Sequence, residues 1–185
     1  DQTLVVSLMR VMESLQDIFT TEKATELSEK DAGIRLESSF LFGLIWSIGI
    51  SVDDAGRAKF DTFFRELTSG QNQNHPPPPN RKIQVPVPAR GLVYDYVFDE
   101  ESMKWQLWKD RIDAKPVIEP TAKFNEIIVP TVDTCRYAYM LELLQTHNFP
   151  VLFVGPTGTG KSAYTAKKLS NGMPEEYTTL TIAFS

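Results

Sequence analysis

The stretch that most constrains this chain runs from Val151 to Leu169. An apolar run, Val151-Leu152-Phe153-Val154, leads into Gly155-Pro156-Thr157-Gly158-Thr159-Gly160-Lys161-Ser162, and Ala163-Tyr164-Thr165-Ala166-Lys167-Lys168-Leu169 follows. A buried strand, a glycine-rich turn and a helix, in that order, make a phosphate-binding P-loop. Glycine lets backbone N–H groups converge on phosphate oxygens where a β-carbon would block the approach. The new helix adds the positive end of its dipole. Lys161 is then expected to reach the β- and γ-phosphates of a nucleoside triphosphate, with the Ser162 hydroxyl on Mg²⁺. A chance glycine-rich turn is the competing reading, and the flanking strand and helix patterns weigh against it.

The 185 residues suffice for one domain or two small ones, and 42% hydrophobic with 23% charged residues argues against wholesale disorder. A net charge of −5 gives no basic footprint for nucleic acid or an anionic membrane, so neither is expected as a partner. Cys135 is the one cysteine, so no intrachain disulfide and no cysteine-built zinc site are possible. It reads as a small apolar residue on a helix. His75 and His147 lack metal-ligand partners at useful spacing. The longest apolar run, Phe40 to Ile50, is too short to span a bilayer and reads as a buried helix. The chain opens on Asp1 with no signal peptide, as expected of a fragment.

Leu4, Leu8, Val11, Leu15 and Ile18 recur at steps of three and four, predicting an amphipathic helix over residues 1 to about 20. Ser28 with Asp31 predicts the start of a second helix, through Ile34, Leu36, Phe40, Leu41, Leu44, Ile45 and Ile48, central to its bundle. Gly49 interrupts it. Ser51 with Asp54 predicts the cap of a third helix whose Phe60, Phe63, Phe64 and Leu67 face the core. Gln71 to Arg90, with Pro76 to Pro79, predicts an exposed polyproline-like connector. From Leu92 the period becomes two, and the turn Asp99 to Ser102 with Trp105 and Leu107 beyond predicts an aromatic β-hairpin. Acidic residues on it favour packing against a neighbouring module over stacking on bases.

Arg111 to Phe124, with Pro116 and Pro120, reads as a boundary. Beyond it come Glu126 to Thr134, a helix bearing Tyr137, Tyr139 and Leu141, the P-loop unit, and a β-branched strand from Tyr177 to Ser185. A hydrolytic P-loop site also needs an acidic residue on a later strand to hold Mg²⁺ and position water. The acidic residues ahead of the P-loop are in the wrong chain order for that role, so no catalytic residue is assigned. The sequence is expected to supply a phosphate cradle without a complete hydrolytic site, as a stretch cut from within a domain of a longer protein.

Several segments in co-linear order resemble the dynein heavy chains, most of all the axonemal type. They are Phe40-Leu41-Phe42-Gly43-Leu44-Ile45-Trp46-Ser47-Ile48-Gly49, Asp53-Asp54-Ala55-Gly56-Arg57 through Phe60, and Phe63-Phe64-Arg65-Glu66-Leu67. Tyr94 to Phe98, Val129-Pro130-Thr131-Val132-Asp133-Thr134-Cys135-Arg136-Tyr137 and Leu152 to Ser162 complete the set. The resemblance implies an α/β protein with a helical part, at the join of the second and third modules of a six-module AAA+ motor ring. Residues 1–120 would be the small helical subdomain of one module, with its proline-rich connector and β-hairpin. Residues 121–185 would be the incomplete opening of the next large P-loop α/β subdomain.

By the same resemblance Pro130, Thr131 and Thr134 lie beside the adenine, a role that competes with a helix cap formed by Thr131 or Asp133. The nucleotide would be ATP or ADP with Mg²⁺, at a regulatory site gating a minus-end-directed microtubule motor in the cytoskeleton of the ciliary or flagellar axoneme. Neighbouring AAA+ modules of the same chain, microtubules, and dynein intermediate and light chains are the implied partners. Two other readings stand beside it. One is an assembly segment of the ring with a non-hydrolysing nucleotide site; the other is a fragment of an unrelated P-loop NTPase.

Overall fold

A computed structural model describes residues 2–16, 27–78, 82–112 and 129–182, which divide into two compact units, 1–107 and 108–185. Ile18, Pro79, the expected boundary at Pro116 and Pro120, Glu126 to Ile128, and residues 183–185 lie outside the described residues.

In the first unit, α1 (Gln2–Leu15) packs along α2 (Glu29–Ser47). Val11 is buried, and Leu8 and Met12 come so close to Gly43 that a β-carbon there would lie 2.9 Å from Leu8 Cδ1. Ser28 caps α2 as its sequence predicts, with its side-chain oxygen accepting from the Asp31 N–H at 3.1 Å. Ile34, Leu41, Phe42, Ile45 and Trp46 are buried, together with Ser38, Ser39 and Ser47. Leu36 and Phe40, expected in the core, face outward instead. The small serines let α2 press its serine-bearing side inward, which turns those two large residues out.

The cap of α3 (Asp54–Ser69) differs from expectation by two residues. Ser51 is drawn into a 3₁₀ turn, Gly49–Ser51, where its N–H and hydroxyl both bond to the Ile48 carbonyl. The chain becomes extended only at Val52 and Asp53, so Asp53 accepts from the Gly56 N–H at 2.7 Å. Gly70, at φ 76°, ends the helix in the left-handed conformation. Phe64 is buried, but Phe63 is exposed and meets the His75 ring edge-on. With about 100° per residue, a buried side centred on Arg57, Asp61, Phe64 and Thr68 leaves Phe63 roughly a quarter turn or more away.

The connector is not a free strap. In its second half Ile83, Val85 and Val87 are half-buried and alternate with exposed neighbours. Trp105 Nε1 donates to the Val85 carbonyl at 2.9 Å, and the Gln84 N–H donates to Glu37 at 2.7 Å. Arg65 does most of the fastening. Its Nε faces both oxygens of Asp61 at 3.1 Å, while Nη1 donates to the Pro88 carbonyl at 2.8 Å and Nη2 to Gly91 at 3.1 Å. Asp61 in turn accepts from the buried Val93 N–H at 2.7 Å.

Residues Val93–Asp95 form a 3₁₀ turn where the alternating pattern predicts strand. The hairpin proper is β1 (Tyr96–Asp99) against β2 (Lys104–Leu107), antiparallel, with Tyr96 opposite Leu107 and Phe98 opposite Trp105. The Phe98 and Trp105 rings meet at 5.4 Å and 70°. Asp99 closes the turn by accepting from the N–H and hydroxyl of Ser102. Val93, Tyr94, Tyr96 and Val97 are all buried, because α2 covers β1 and Arg35 clasps Glu100 at the turn, at 2.7 Å to its carboxylate. The Tyr94 hydroxyl donates to the Gly49 carbonyl at 2.6 Å, tying this segment to the bend after α2.

The second unit begins with the 3₁₀ turn Trp108–Arg111, followed by α4 (Val132–Thr146) and α5 (Lys161–Asn171). Trp108 is buried edge-on to Tyr139. Val151 to Val154 are not a buried strand. Val151 and Phe153 are half-buried while Leu152 and Val154 are exposed, a period of two without a ladder. Residues 177–182, expected as strand, are likewise unpaired, with Leu180 and Ile182 exposed. A strand needs a hydrogen-bonded neighbour, and among the described residues β1 and β2 make the one sheet.

Candidate phosphate-binding site

The helix α4 is positioned by its own first turn. Thr131 accepts from the Thr134 N–H at 3.2 Å, and the Thr131 N–H donates back to Thr134 Oγ1 at 2.7 Å. That reciprocal pair is the helix cap, and Pro130 stands just before it. Asp133 is paired with Arg136 at 3.0 Å. Asn148, at φ 60°, turns the chain out of the helix toward the P-loop stretch.

Three aromatic rings hold that stretch between α4 and α5. Tyr137 lies 6.0 Å from Phe153 and 5.9 Å from Tyr164, and Phe153 lies 6.1 Å from Tyr164. The residues before the loop and the first turn of α5 are therefore packed on the same two tyrosines. Burial, then the neighbouring Tyr137 and Asp133, raise the Tyr164 pKa. An ion pair from Lys168 to Glu142 at 2.5 Å, and a bond from Thr179 Oγ1 to the Leu169 carbonyl at 2.8 Å, fasten the far end of α5.

The loop itself is exposed, and its shape rests on two glycines. Gly158 at φ 83° and Gly160 at φ 79° are left-handed, a conformation that costs an L-residue about 1–2 kcal/mol. At Gly158 a β-carbon would meet nothing within 4 Å, so the requirement there is conformational and not steric. Gly160 is also the N-cap of α5, and having no side chain it leaves the first-turn N–H groups uncapped.

Lys161, the first residue of α5, folds back across the loop. Its ammonium donates to the carbonyls of Gly155 at 2.9 Å and Pro156 at 2.5 Å, and to Thr159 Oγ1 at 3.0 Å. Thr159 Oγ1 also donates to the Pro156 carbonyl at 3.0 Å. A β-carbon at Gly155 would lie 3.7 Å from Lys161 Cδ, so that position has ordinary room.

These residues fit a polyphosphate: an uncapped helix N-terminus, a glycine-rich turn and one ammonium converge within eight consecutive residues, Gly155 to Ser162. The remaining predicted positions, Pro130, Thr131 and Thr134, sit at the start of α4, with both threonine side chains engaged in the cap. The aromatic trio, absent from the site expected from sequence, carried a signal of its own in Tyr137, Phe153 and Tyr164 flanking the motif. Cys135 is half-buried, and burial pushes its thiol pKa up against the pull of Arg111 and Arg136, opposite to an activated nucleophile. A surface hollow of about 380 Å³ beside Glu66 and Gln71 to Asn74 belongs to the first unit and shares no residue with the loop.

Residues 1–110 match the family model described as dynein heavy chain AAA lid domain, and residues 116–185 match the P-loop containing dynein motor region. Among curated proteins the chain is 44% identical over 142 residues to mouse dynein axonemal heavy chain 12, covering 76% of this chain and 5% of that protein. It is 38% identical over 172 residues to human dynein axonemal heavy chain 3, covering 88% of this chain and 4% of that protein. Mouse dynein axonemal heavy chain 1 is 30% identical over an alignment that takes in 100% of this chain and 5% of that protein. The chain thus spans about a twentieth of the length of the relatives it matches.

Proposed function

The chain belongs to the dynein heavy chain family, and we propose that it contributes an ATP-binding, regulatory AAA+ site to a microtubule motor of the axoneme. On this reading residues 1–120 are the small helical subdomain of one module, and residues 121–185 open the large α/β subdomain of the next. The observation that carries it is the loop Gly155 to Ser162, with an ammonium fixed across it and an uncapped helix N-terminus behind it.

The division of labour follows from the side chains. First-turn N–H groups of α5 would take phosphate oxygens, and Lys161 would neutralise the β- and γ-phosphates. Ser162 Oγ would be this chain's ligand for Mg²⁺, which would supply charge neutralisation to the phosphates. Among the described residues no cluster of three or more His, Cys, Asp and Glu is placed to hold a metal by itself, so the ion would arrive with the nucleotide. Pro130, Thr131 and Thr134 would lie beside the base by contact and not by hydroxyl hydrogen bonds, because both threonine hydroxyls hold the cap of α4. Because the aromatic trio joins α4, the loop and α5, occupancy at the phosphates is felt by both helices. A nucleotide that biases a rigid-body arrangement of modules can then gate motility from a distance.

The neighbouring modules of the same heavy chain are the direct partners; microtubules and the intermediate and light chains are engaged through the whole motor. Lys161→Ala tests the site. Calorimetric titration with Mg-ATP is expected to show a loss of about 10- to 100-fold in affinity, the worth of a charge-assisted contact. In the motor, gliding velocity should change while the ring stays folded. Unaltered affinity together with unaltered gliding would refute the assignment.

A further inference from the structure

An ammonium has three N–H donors, and in Lys161 each has a partner: Gly155 O, Pro156 O and Thr159 Oγ1. Two of these acceptors are backbone carbonyls at the entrance of the loop. The third is a side chain at its far end, and it is the one acceptor that a substitution can remove without altering the backbone. Thr159 is itself oriented. Its hydroxyl proton is committed to the Pro156 carbonyl at 3.0 Å, which leaves oxygen lone pairs for the ammonium. The hydroxyl therefore links both ends of the loop through one cation.

We infer that Thr159 is a positioning residue for Lys161, holding the ammonium over the loop so that phosphate meets it already ordered and takes over an N–H from a backbone carbonyl. A lysine stem is flexible and loses several rotamers when its head is fixed. Anchored from both ends of the loop, it has given up that freedom before a ligand arrives, and preordering of this kind is gained as affinity. Held by the two carbonyls alone, it is free to swing from one side, and part of the ordering cost falls on binding. This role rests on the nucleotide reading above and goes beyond it, because it assigns the Thr159 side chain to the lysine and not to the nucleotide.

The test is equilibrium binding of Mg-ATP to the protein carrying Thr159→Val, Thr159→Ser, Lys161→Met, or Thr159→Val with Lys161→Met. Thr159 is exposed, so valine disturbs no packing. Thr159→Val is expected to raise Kd about tenfold, on the scale of one hydrogen bond to a charged group, and Thr159→Ser to restore it. In the Lys161→Met background the Thr159→Val change should add nothing, since the group it positions is gone. Unchanged or tighter binding in Thr159→Val, failure of serine to rescue, or an equal loss in the Lys161→Met background overturns the inference while leaving nucleotide binding intact. Absence of Mg-ATP binding by the unsubstituted protein instead refutes the site itself, and this role with it.

Discussion

Tyr94 meets α3 through its ring and the bend after α2 through its hydroxyl, and removing that oxygen is a stringent test of the first unit. Its ring is almost wholly buried, 6.0 Å from Phe60 and beneath the Arg57 guanidinium at 5.7 Å, and its O–H donates to the Gly49 carbonyl at 2.6 Å. Tyr94→Phe keeps the ring and loses the bond, leaving a buried carbonyl without this donor. The expected cost at neutral pH is about 1–3 kcal/mol. The same burial pushes the phenol from its usual 10.0 up to about 12, with Arg57 pulling it down and Asp61 adding to the rise. The sign then follows. Between pH 10 and about 12 the unfolded chain has shed this proton while the folded one keeps it, so stability is full below pH 10 and drains as pH rises. Each tenfold difference in proton affinity between the two states is worth about 1.4 kcal/mol, so the drain is on the order of 2–3 kcal/mol. Urea denaturation followed by far-ultraviolet circular dichroism should show a gap between the two proteins that narrows steadily above pH 10. Parallel stability curves across that range would refute the buried, bonded phenol.

Gly49→Ala should destabilise the first unit by about 1–3 kcal/mol in the same assay, because its β-carbon would lie 2.5 Å from Phe60 Cε1 in a packed region. Arg65→Lys removes a planar fork that reaches Asp61, Pro88 and Gly91 together, and a point-charge ammonium can satisfy only part of that set. A loss of about 1–2 kcal/mol is expected, with faster amide exchange at Val93, whose N–H depends on the Asp61 that Arg65 orients. The loop glycines should separate by type. Gly160→Ala must adopt φ near 79° and is expected to cost about 1–2 kcal/mol locally, read as faster exchange of the Tyr164 amide, which donates to the Gly160 carbonyl at 3.1 Å. Gly155→Ala has ordinary room beside Lys161, so the Tyr164 amide should be unchanged while affinity for Mg-ATP falls, as the β-carbon occupies the phosphate approach.

What the sequence made legible was local. Ser28 with Asp31 announces a cap because the bond it makes is three residues long, and Asp99 with Ser102 announces a turn for the same reason. The aromatic hairpin could be read because its turn is short, and the structure then sets Phe98 opposite Trp105. The failures share the opposite property. Ser51 looked like a cap, and its backbone was claimed by the bend after α2. Tyr94 looked like a strand residue, and its hydroxyl reaches a carbonyl 45 positions away. The connector looked solvated, yet Arg65, 22 to 26 residues upstream, fastens it through carbonyls that carry no sequence signature.

The candidate site divides along the same line, and the division bears on how it works. The turn Gly155 to Ser162 is set by two left-handed glycines and one lysine within the motif, so the shape of the loop could be read from eight residues. The strand expected before it could not form from local sequence. Val151 to Val154 keep a strand's alternation of half-buried and exposed residues without any ladder, because pairing is a property of two segments. What fixes the cradle in their stead is the contact of Tyr137, Phe153 and Tyr164, which joins the residues before the loop to the helices on either side. On the proposed function, a loop whose shape is local and whose seating depends on α4 and α5 would bind phosphate by itself and transmit that event through the helices. Tyr137→Ala should therefore leave the left-handed loop glycines in place while loosening α4 from α5. Greater amide exchange along both helices, with first-turn amides of α5 still ordered by Mg-ATP, is the expected result; loss of both together would show that the loop's shape is not local after all.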